Sequence, residues 1–329
     1  MINDFGEFMS EIYQNKIGNC IITGGAGFIG SHLVDKLVSL DIDTKVFDNL
    51  SAGSLSNLSN CQENKKFSFV KQDLKDLQSS EKILEDVNSV FHIAAEPEVR
   101  SNYEHPEISY NENIYNTFKL LESIRKSNVK RIYFTSSSTV YGEPKIIPTP
   151  EDYGPTLPIS PYGASKLAAE ALISAYCHNY GITAQIFRFA NVVGHRNRHG
   201  VIIDFINKLK QNKLQLEILG DGKQSKSYIH ITDCIQAILH SISKLNNKIE
   251  IVNIGNLDEV DVISIAKIVC HYMCLKNVKF TTKGGDDGRG WPGDVTKMNL
   301  DISKLRNLGW NPKLSSKQAI EKTVQELIA

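Results

Sequence analysis

Eight residues, Thr23-Gly24-Gly25-Ala26-Gly27-Phe28-Ile29-Gly30, constrain this chain more than any other segment. They join a short apolar run, NCIIT (19–23), to a stretch of helical spacing, FIGSHLVDKLVSL (28–40), and so read as the turn of a strand–turn–helix unit. Glycine permits a tight turn and close approach of the backbone to a ligand. The helix start offers free N–H groups and a partial positive charge to a pyrophosphate. A structural loop can carry the same glycines, so the surrounding pattern decides. About 20 residues on, Asp48 closes a second predicted strand, where a carboxylate accepts hydrogen bonds from an adenosine ribose. The same charge repels a 2′-phosphate, and DNLSAGS (48–54) contains no Arg, so NAD is expected over NADP. The bland alternative for Asp48 is a surface cap.

The rest of the chain continues the alternation. Strands are predicted in TKVFDNL (44–50), FSFVKQDL (67–74), SVFHIAA (89–95), VKRIYFTSS (129–137) and TAQIFRF (183–189). Helices are predicted in SSEKILEDV (79–87), NENIYNTFKLLESIRKS (111–127) and ASKLAAEALISAYCHNYG (164–181). The expected fold is α/β, a Rossmann-type doubly wound parallel sheet with a smaller C-terminal substrate-binding lobe. We divide it into an N-terminal extension (1–19), amphipathic or irregular, a dinucleotide-binding domain (20–190), and a lobe (191–329) from which segments near 228–255 return to the sheet.

Composition narrows the partners. Lys plus Arg equals Asp plus Glu at 37 each, so no global field draws the chain to nucleic acid or anionic lipid. No apolar run approaches the ~20 residues that span a bilayer, and the first 16 residues lack the basic and apolar regions of a signal peptide, so a soluble cytoplasmic protein is expected. Of six scattered cysteines only Cys270 and Cys274 lie close together, at helical spacing. They read as a buried thiol pair rather than a metal or disulfide site. No metal is expected.

The chemistry-bearing residues cluster in PYGASK, where Tyr162 and Lys166 stand four apart at the start of a predicted helix, one turn from each other on one face. A phenol is a poor base at neutral pH, but an ammonium beside it and the positive nicotinamide ring favour its phenolate, which can remove a hydroxyl proton as hydride leaves. The hydroxyls Ser136, Ser137, Ser138 and Thr139 end the preceding strand, where some of them also serve the turn.

TGGAGFIG, the Asp48 strand end, SSSTVYG, SPYGASK and RFANVVG together resemble the extended short-chain dehydrogenase/reductases, especially the nucleotide-sugar 4-epimerases, from about residue 19 to the C-terminus. The resemblance implies that Ser137, four residues before Tyr141, is the catalytic hydroxyl, Tyr162 the acid/base, and Lys166 the holder of the nicotinamide ribose. It assigns the cofactor to Gly24, Gly27, Phe28, Ile29, Gly30, Asp48, Asn49, Asp73, Leu74, Ala94 and Ala95, with Asn113 bracing the site. The family's 4,6-dehydratases carry an Asp-Glu pair just after the catalytic hydroxyl. Here Ser138 and Thr139 stand there, which disfavours elimination of water.

On the substrate side, Asn191 matches the family asparagine that contacts the diphosphate, unless it only forms a turn. Lys226 occupies the position of a usual arginine, a point charge without the bidentate fork. In GRGWPGD, Trp291 replaces another expected arginine, with Arg289 two residues earlier positioned to reach the same phosphate. Asp294 either holds a ribose or stabilises a bend. The implied activity is an NAD-dependent nucleotide-sugar epimerase acting at C4 through a transient keto-sugar, as a homodimer packed through the helices at 111–127 and 164–180. A dehydrogenase or reductase on the same substrates uses the same residues, and a non-catalytic NAD binder has no need of them.

Overall fold

The computed structural model describes residues 2–77, 82–98, 101–284 and 287–329, with the backbone alone at 2–9, 101 and 102. Helix α1 (Ile2–Ile17) precedes β1 (Cys20–Thr23), α2 (Phe28–Ser39), β2 (Thr44–Asp48), β3 (Phe67–Lys71) and β4 (Ser89–His92). Two short helical turns, α3 (Ser101–Glu104) and α4 (Pro106–Ser109), lead through a π-helical turn (Tyr110–Tyr115) into α5 (Asn116–Ile124). Then come β5 (Arg131–Ser137), α6 (Pro161–Tyr180), β6 (Thr183–Phe189), β7 (Asn191–Val193), α7 (Val201–Gln211) and β8 (Gln215–Leu219). They are followed by β9 (Ser225–Lys226), β10 (Tyr228–His230), α8 (Ile231–Lys244), β11 (Ile249–Ile254), β12 (Val260–Asp261) and α9 (Val262–Tyr272). The chain finishes with β13 (Lys279–Lys283), β14 (Lys297–Met298), α10 (Ser303–Asn307) and α11 (Ser316–Ile328).

Seven parallel strands form the main sheet in the order β11-β6-β5-β4-β1-β2-β3. β1 and β4 are buried at every position, the pattern of a sheet covered on both faces. One core packs α2 and α8 against it around Leu33, Val34, Leu37, Cys234 and Ile238, and the opposite one packs α5 and α6 around Leu120, Leu121, Ala169 and Ile173. The chain runs outward from β1 to β3 and then returns to β4 beside β1. The strand order therefore reverses at the β1–β4 gap, where an α/β sheet opens its ligand crevice.

A third core, around Phe205, Ile218, Ile265 and Ile320, belongs to the lobe of α7, α9, α11 and the β8–β13 pair. The segment Ile249–Ile254 leaves that lobe and pairs with β6 residue for residue. A small cluster of Val140, Tyr141, Ala190, Val295, Met298 and Leu300 joins lobe and sheet beside the ends of β5 and β6.

One expectation is narrowed and two change. Residues 2–17 form one helix, whose Tyr13 and Ile17 are buried in the α2–α8 core, and the Lys16 carbonyl accepts a bond from the Tyr133 hydroxyl. Of the helix expected at 79–87, the described part holds only a 3-10 turn, Lys82–Leu84, and residues 79–81 lie outside the described residues. Cys270 is buried, but α9 stops at Tyr272 and Cys274 sits beyond it, exposed and left-handed at φ 55°, so the two thiols are not a buried pair.

Candidate functional site

The turn after β1 lies at the strand-order reversal. Gly24 has φ +71°, and a Cβ on it would meet the Ala94 backbone at 2.7 Å, so only glycine lets β1 and the segment after β4 approach this closely. A Cβ on Gly30 would overlap the Gly24 carbonyl oxygen and lie 2.7 Å from the Gly25 Cα. Gly27 is the N-cap of α2 and supplies no side-chain cap, so the first N–H groups at Phe28 and Ile29 face the turn without one. Asp48 is buried rather than a surface cap. Its carboxylate accepts from Ala26 N (2.9 Å) and Leu50 N (2.7 Å), tying the glycine turn to the loop after β2.

Asn49 Nδ2 donates to Asp73 Oδ2 (2.9 Å), and Asp73 also caps the turn containing Leu74 by accepting from Lys75 N. Burial pushes the Asp73 carboxyl up, but the bonds from Asn49 and Lys75 outweigh it and hold the group below its ordinary range. Across the turn, Ala94 N donates to the Thr23 carbonyl (2.9 Å), which fixes the segment carrying Ala94 and Ala95 against β1. These residues surround the uncapped start of α2, a cradle whose free N–H groups fit a dinucleotide.

Behind the cradle stands His92, which no motif revealed. Its ring bridges Thr23 Oγ1 and Thr117 Oγ1, each at 2.8 Å. The Thr117 hydroxyl spends its proton on the Asn113 carbonyl, so it accepts from Nε2–H, and Nδ1 accepts from Thr23. Burial pushes this imidazole down to about 3, with the Lys166 charge adding to it. It is a neutral strut between β1 and α5.

The hydroxyl, phenol and lysine converge where β5 ends and α6 begins. Ser160 caps α6 by accepting from Gly163 N (3.1 Å), and Pro161 starts it. Ser137 Oγ accepts from Thr139 Oγ1 (2.9 Å) and N (3.2 Å), and its hydroxyl acts on the nearby Tyr162 phenol. Burial pushes that phenol up to about 12; the Ser137 hydroxyl works against the rise and the Glu96 charge adds to it. The chain's own groups therefore keep Tyr162 protonated, and the lysine effect expected from spacing is not the dominant one.

Lys166 Nζ donates to the Thr135 carbonyl (2.9 Å) and stands 5.9 Å from the centre of the Tyr162 ring. Burial brings it down to about 7, opposed by Glu170. Asn113, in the π-helical turn, accepts from Glu96 N (2.8 Å) and donates to Ser165 Oγ (2.9 Å). It braces the loop after β4 against α6. The π-turn interrupts the single helix expected at 111–127 and faces this site, as such bulges often do.

On the lobe side the structure brings Lys226, Arg289 and Asp294 together. Lys226 Nζ bonds Asp294 Oδ1 (2.8 Å) and lies 5.8 Å from the centre of the Trp291 ring. Asp294 is buried, with Oδ2 accepting from Gly290 N, so it holds the bend of its own loop. Arg289 bonds Asp287 (2.7 Å), Glu143 and the Asp294 carbonyl. Asn191 Nδ2 donates to the carbonyl of Ser227, the residue next to Lys226 (3.1 Å). Besides His92, sequence reasoning missed Glu143 and the buried pair Glu170–Arg188. The second left a signal, a charged residue, Arg188, set between Phe187 and Phe189 of β6.

Residues 21–323 match the family described as GDP-mannose 4,6 dehydratase. The chain belongs to that family. A putative UDP-glucose 4-epimerase of Methanocaldococcus jannaschii is 38% identical over 310 residues, 92% of this chain and 96% of the relative. Among solved structures, a UDP-galactose 4-epimerase superposes with a TM-score of 0.84 at 40% identity, covering 94% of this chain and 98% of its own. A UDP-glucuronic acid 4-epimerase from Bacillus cereus, in complex with UDP-glucuronic acid and NAD, superposes with the same score at 29% identity, covering 94% and 99%.

Among the described residues no helix is long and apolar enough to cross a membrane.

Proposed function

We propose that this family member is an NAD-dependent epimerase that inverts C4 of a UDP-sugar through a transient 4-keto sugar. The observation that carries the reading is the convergence of Ser137, Tyr162 and Lys166 beside the glycine cradle, with hydroxyls and not acids at 138 and 139. NAD, which the glycine turn, Asp48 and Lys166 would hold, would supply a hydride acceptor and donor at the sugar carbon. Tyr162 takes the sugar hydroxyl proton as hydride departs and gives it back on return, with the Ser137 hydroxyl beside it to hold the same sugar oxygen. Lys166, fixed on the Thr135 carbonyl, holds the nicotinamide ribose and adds positive charge near the phenol. Residues 20–190 form the cofactor half with β11 returned to it, and the rest of 191–329 the substrate half. Incubation with UDP-glucose, UDP-galactose and their N-acetyl and uronic counterparts, with product stereochemistry read at C4, tests the assignment. Inversion of at least one is expected, and a folded protein that inverts none refutes it.

The 4-epimerase relatives carry a UDP-sugar in their names, which supports UDP here. Lys226 and Arg289 then meet the diphosphate, and Asn191 approaches it from β7. In the free protein these cations are held by Asp294, Glu143 and Asp287, so the substrate must draw them from existing partners. Lys226→Ala and Arg289→Ala should each raise the apparent KM roughly tenfold or more, the loss of one charge-assisted bond of ~1.5–3 kcal/mol, with NAD content unchanged. An unchanged KM in both folded variants places the phosphates elsewhere.

Cofactor preference follows from Asp48. With a 2′-hydroxyl at this carboxylate, NAD should bind far more tightly than NADP, and Asp48→Ala should narrow the gap while loosening the turn that Asp48 bonds. Direct titration that finds NADP preferred by the unaltered protein overturns the assignment.

We further propose a homodimer built on the outer faces of α5, with the π-helical turn before it, and α6, where Tyr115 and Phe118, and Ala164, Ala171 and Ala175, are exposed. A cytoplasmic location accords with six free cysteines.

A further inference from the structure

Four residues beyond Lys166, one turn along α6, stands Glu170, a carboxylate almost wholly removed from water. Arg188 on β6 grips it with two bonds, Nε to Oε1 (3.0 Å) and Nη2 to Oε2 (2.7 Å), and Ser136 Oγ on β5 donates to Oε1. Arg188 is itself buried, donates to the Glu151 carbonyl (3.2 Å), and lies 4.7 Å from the centre of the Tyr141 ring. The charge pair thus ties α6, β5 and β6 together immediately behind the reacting residues. A buried pair of this kind is no cheap source of stability, because hydrophobic residues of similar volume often do as well. Its placement beside a buried lysine gives it a different use.

We propose that Glu170 is a positioning residue for Lys166: held by Arg188 and Ser136, its carboxylate supplies the counter-charge that keeps the buried lysine an ammonium. The proposal rests on the role given to Lys166 above. Around Lys166 the structure places Tyr162 and Glu170 on α6, the Phe134 ring (4.9 Å) and Thr135 carbonyl on β5, neutral His92 on β4, and Arg188 on β6 beyond Glu170. Glu96, in the segment after β4, acts on Tyr162. Glu170 is the group that opposes the effect of burial on Lys166. Without it, burial, the more distant Arg188 and the positive ring of the cofactor all favour the neutral amine. A neutral amine adds no positive charge near the phenol.

The test reads Lys166 directly, without substrate. The ammonium is titrated by NMR in protein labelled with ¹³C and ¹⁵N at lysine, its signal assigned by its loss in Lys166→Met. Glu170→Gln should lower the proton affinity of Lys166 by tenfold or more and move the alkaline limb of the kcat profile to lower pH by the same amount. The sign follows from the active form being the protonated one. Because Glu170→Gln strands the buried Arg188 charge, the double variant Glu170→Gln/Arg188→Met is measured alongside. It should shift Lys166 in the same direction, by less, since the opposing charge is gone too. An unchanged Lys166 titration in either folded variant overturns the proposal. A shifted titration upholds it even where no nucleotide sugar is turned over, an outcome that would instead refute the epimerase reading.

Discussion

Tyr162→Phe should yield a folded protein that retains NAD and turns over its sugar ~10²–10⁴-fold more slowly, the usual cost of losing a positioned general acid or base. The substitution removes one oxygen and keeps the ring. The half-buried site loses the phenol hydroxyl and almost no packing volume. A packing perturbation of that size cannot account for such a rate loss. Ser137→Ala should share the defect non-additively, because in the proposed mechanism Ser137 and Tyr162 handle the same sugar hydroxyl proton, so losing either disables the unit. Turnover within a few-fold of the unaltered enzyme by a folded, NAD-loaded Tyr162→Phe protein removes Tyr162 from the mechanism.

Gly30→Ala should abolish cofactor retention and lower stability by about 1–3 kcal/mol, the range for forcing an extra methyl into a packed site. The methyl group would run into the Gly24 carbonyl and the Gly25 Cα, which are backbone and have no rotamer by which to escape, so the turn must open. Gly181→Ala makes the control. That glycine ends α6 at φ +69° with open space around it, so its alanine variant should cost on the order of 1 kcal/mol and leave NAD bound. NAD content measured after gel filtration, with thermal denaturation beside it, separates the two. Full retention by Gly30→Ala contradicts the cradle.

The residues readable in advance were those whose chemistry depends on local spacing. Gly24 to Gly30, Asp48, and Tyr162 with Lys166 each lie within one strand–turn–helix unit, so sequence distance translates into spatial distance. The main strands followed from apolar runs bounded by turn residues. Much of what the sequence hid depends on partners distant along the chain. Glu170 and Arg188 are 18 residues apart on different elements, and Arg289 meets Glu143 across 146 residues. The π-turn at Tyr110–Tyr115 keeps a helical pattern of apolar residues, so periodicity does not distinguish it from an α-helix. At the start of the chain, α1 gains its stability from burying Tyr13 and Ile17 in the core beside α2 and α8, a tertiary effect that its own composition does not announce. Asp294 could be read two ways from sequence. The structure shows its carboxylate bonding Lys226 and Gly290, the bend-holding role, within reach of the proposed substrate clamp.

In the proposed cycle hydride leaves C4 and comes back to C4 within one enzyme molecule. The most direct measurement uses UDP-glucose deuterated at C4, incubated with the purified protein without added cofactor, followed by mass and NMR analysis of the sugar and assay of the nicotinamide released on denaturation. The account predicts that the C4 epimer appears with its deuterium retained at C4, that about one NAD is recovered per chain, and that no net reduced cofactor accumulates. Loss of the label to solvent, its accumulation on released nicotinamide with a keto-sugar as product, or inversion by protein that carries no NAD would contradict it.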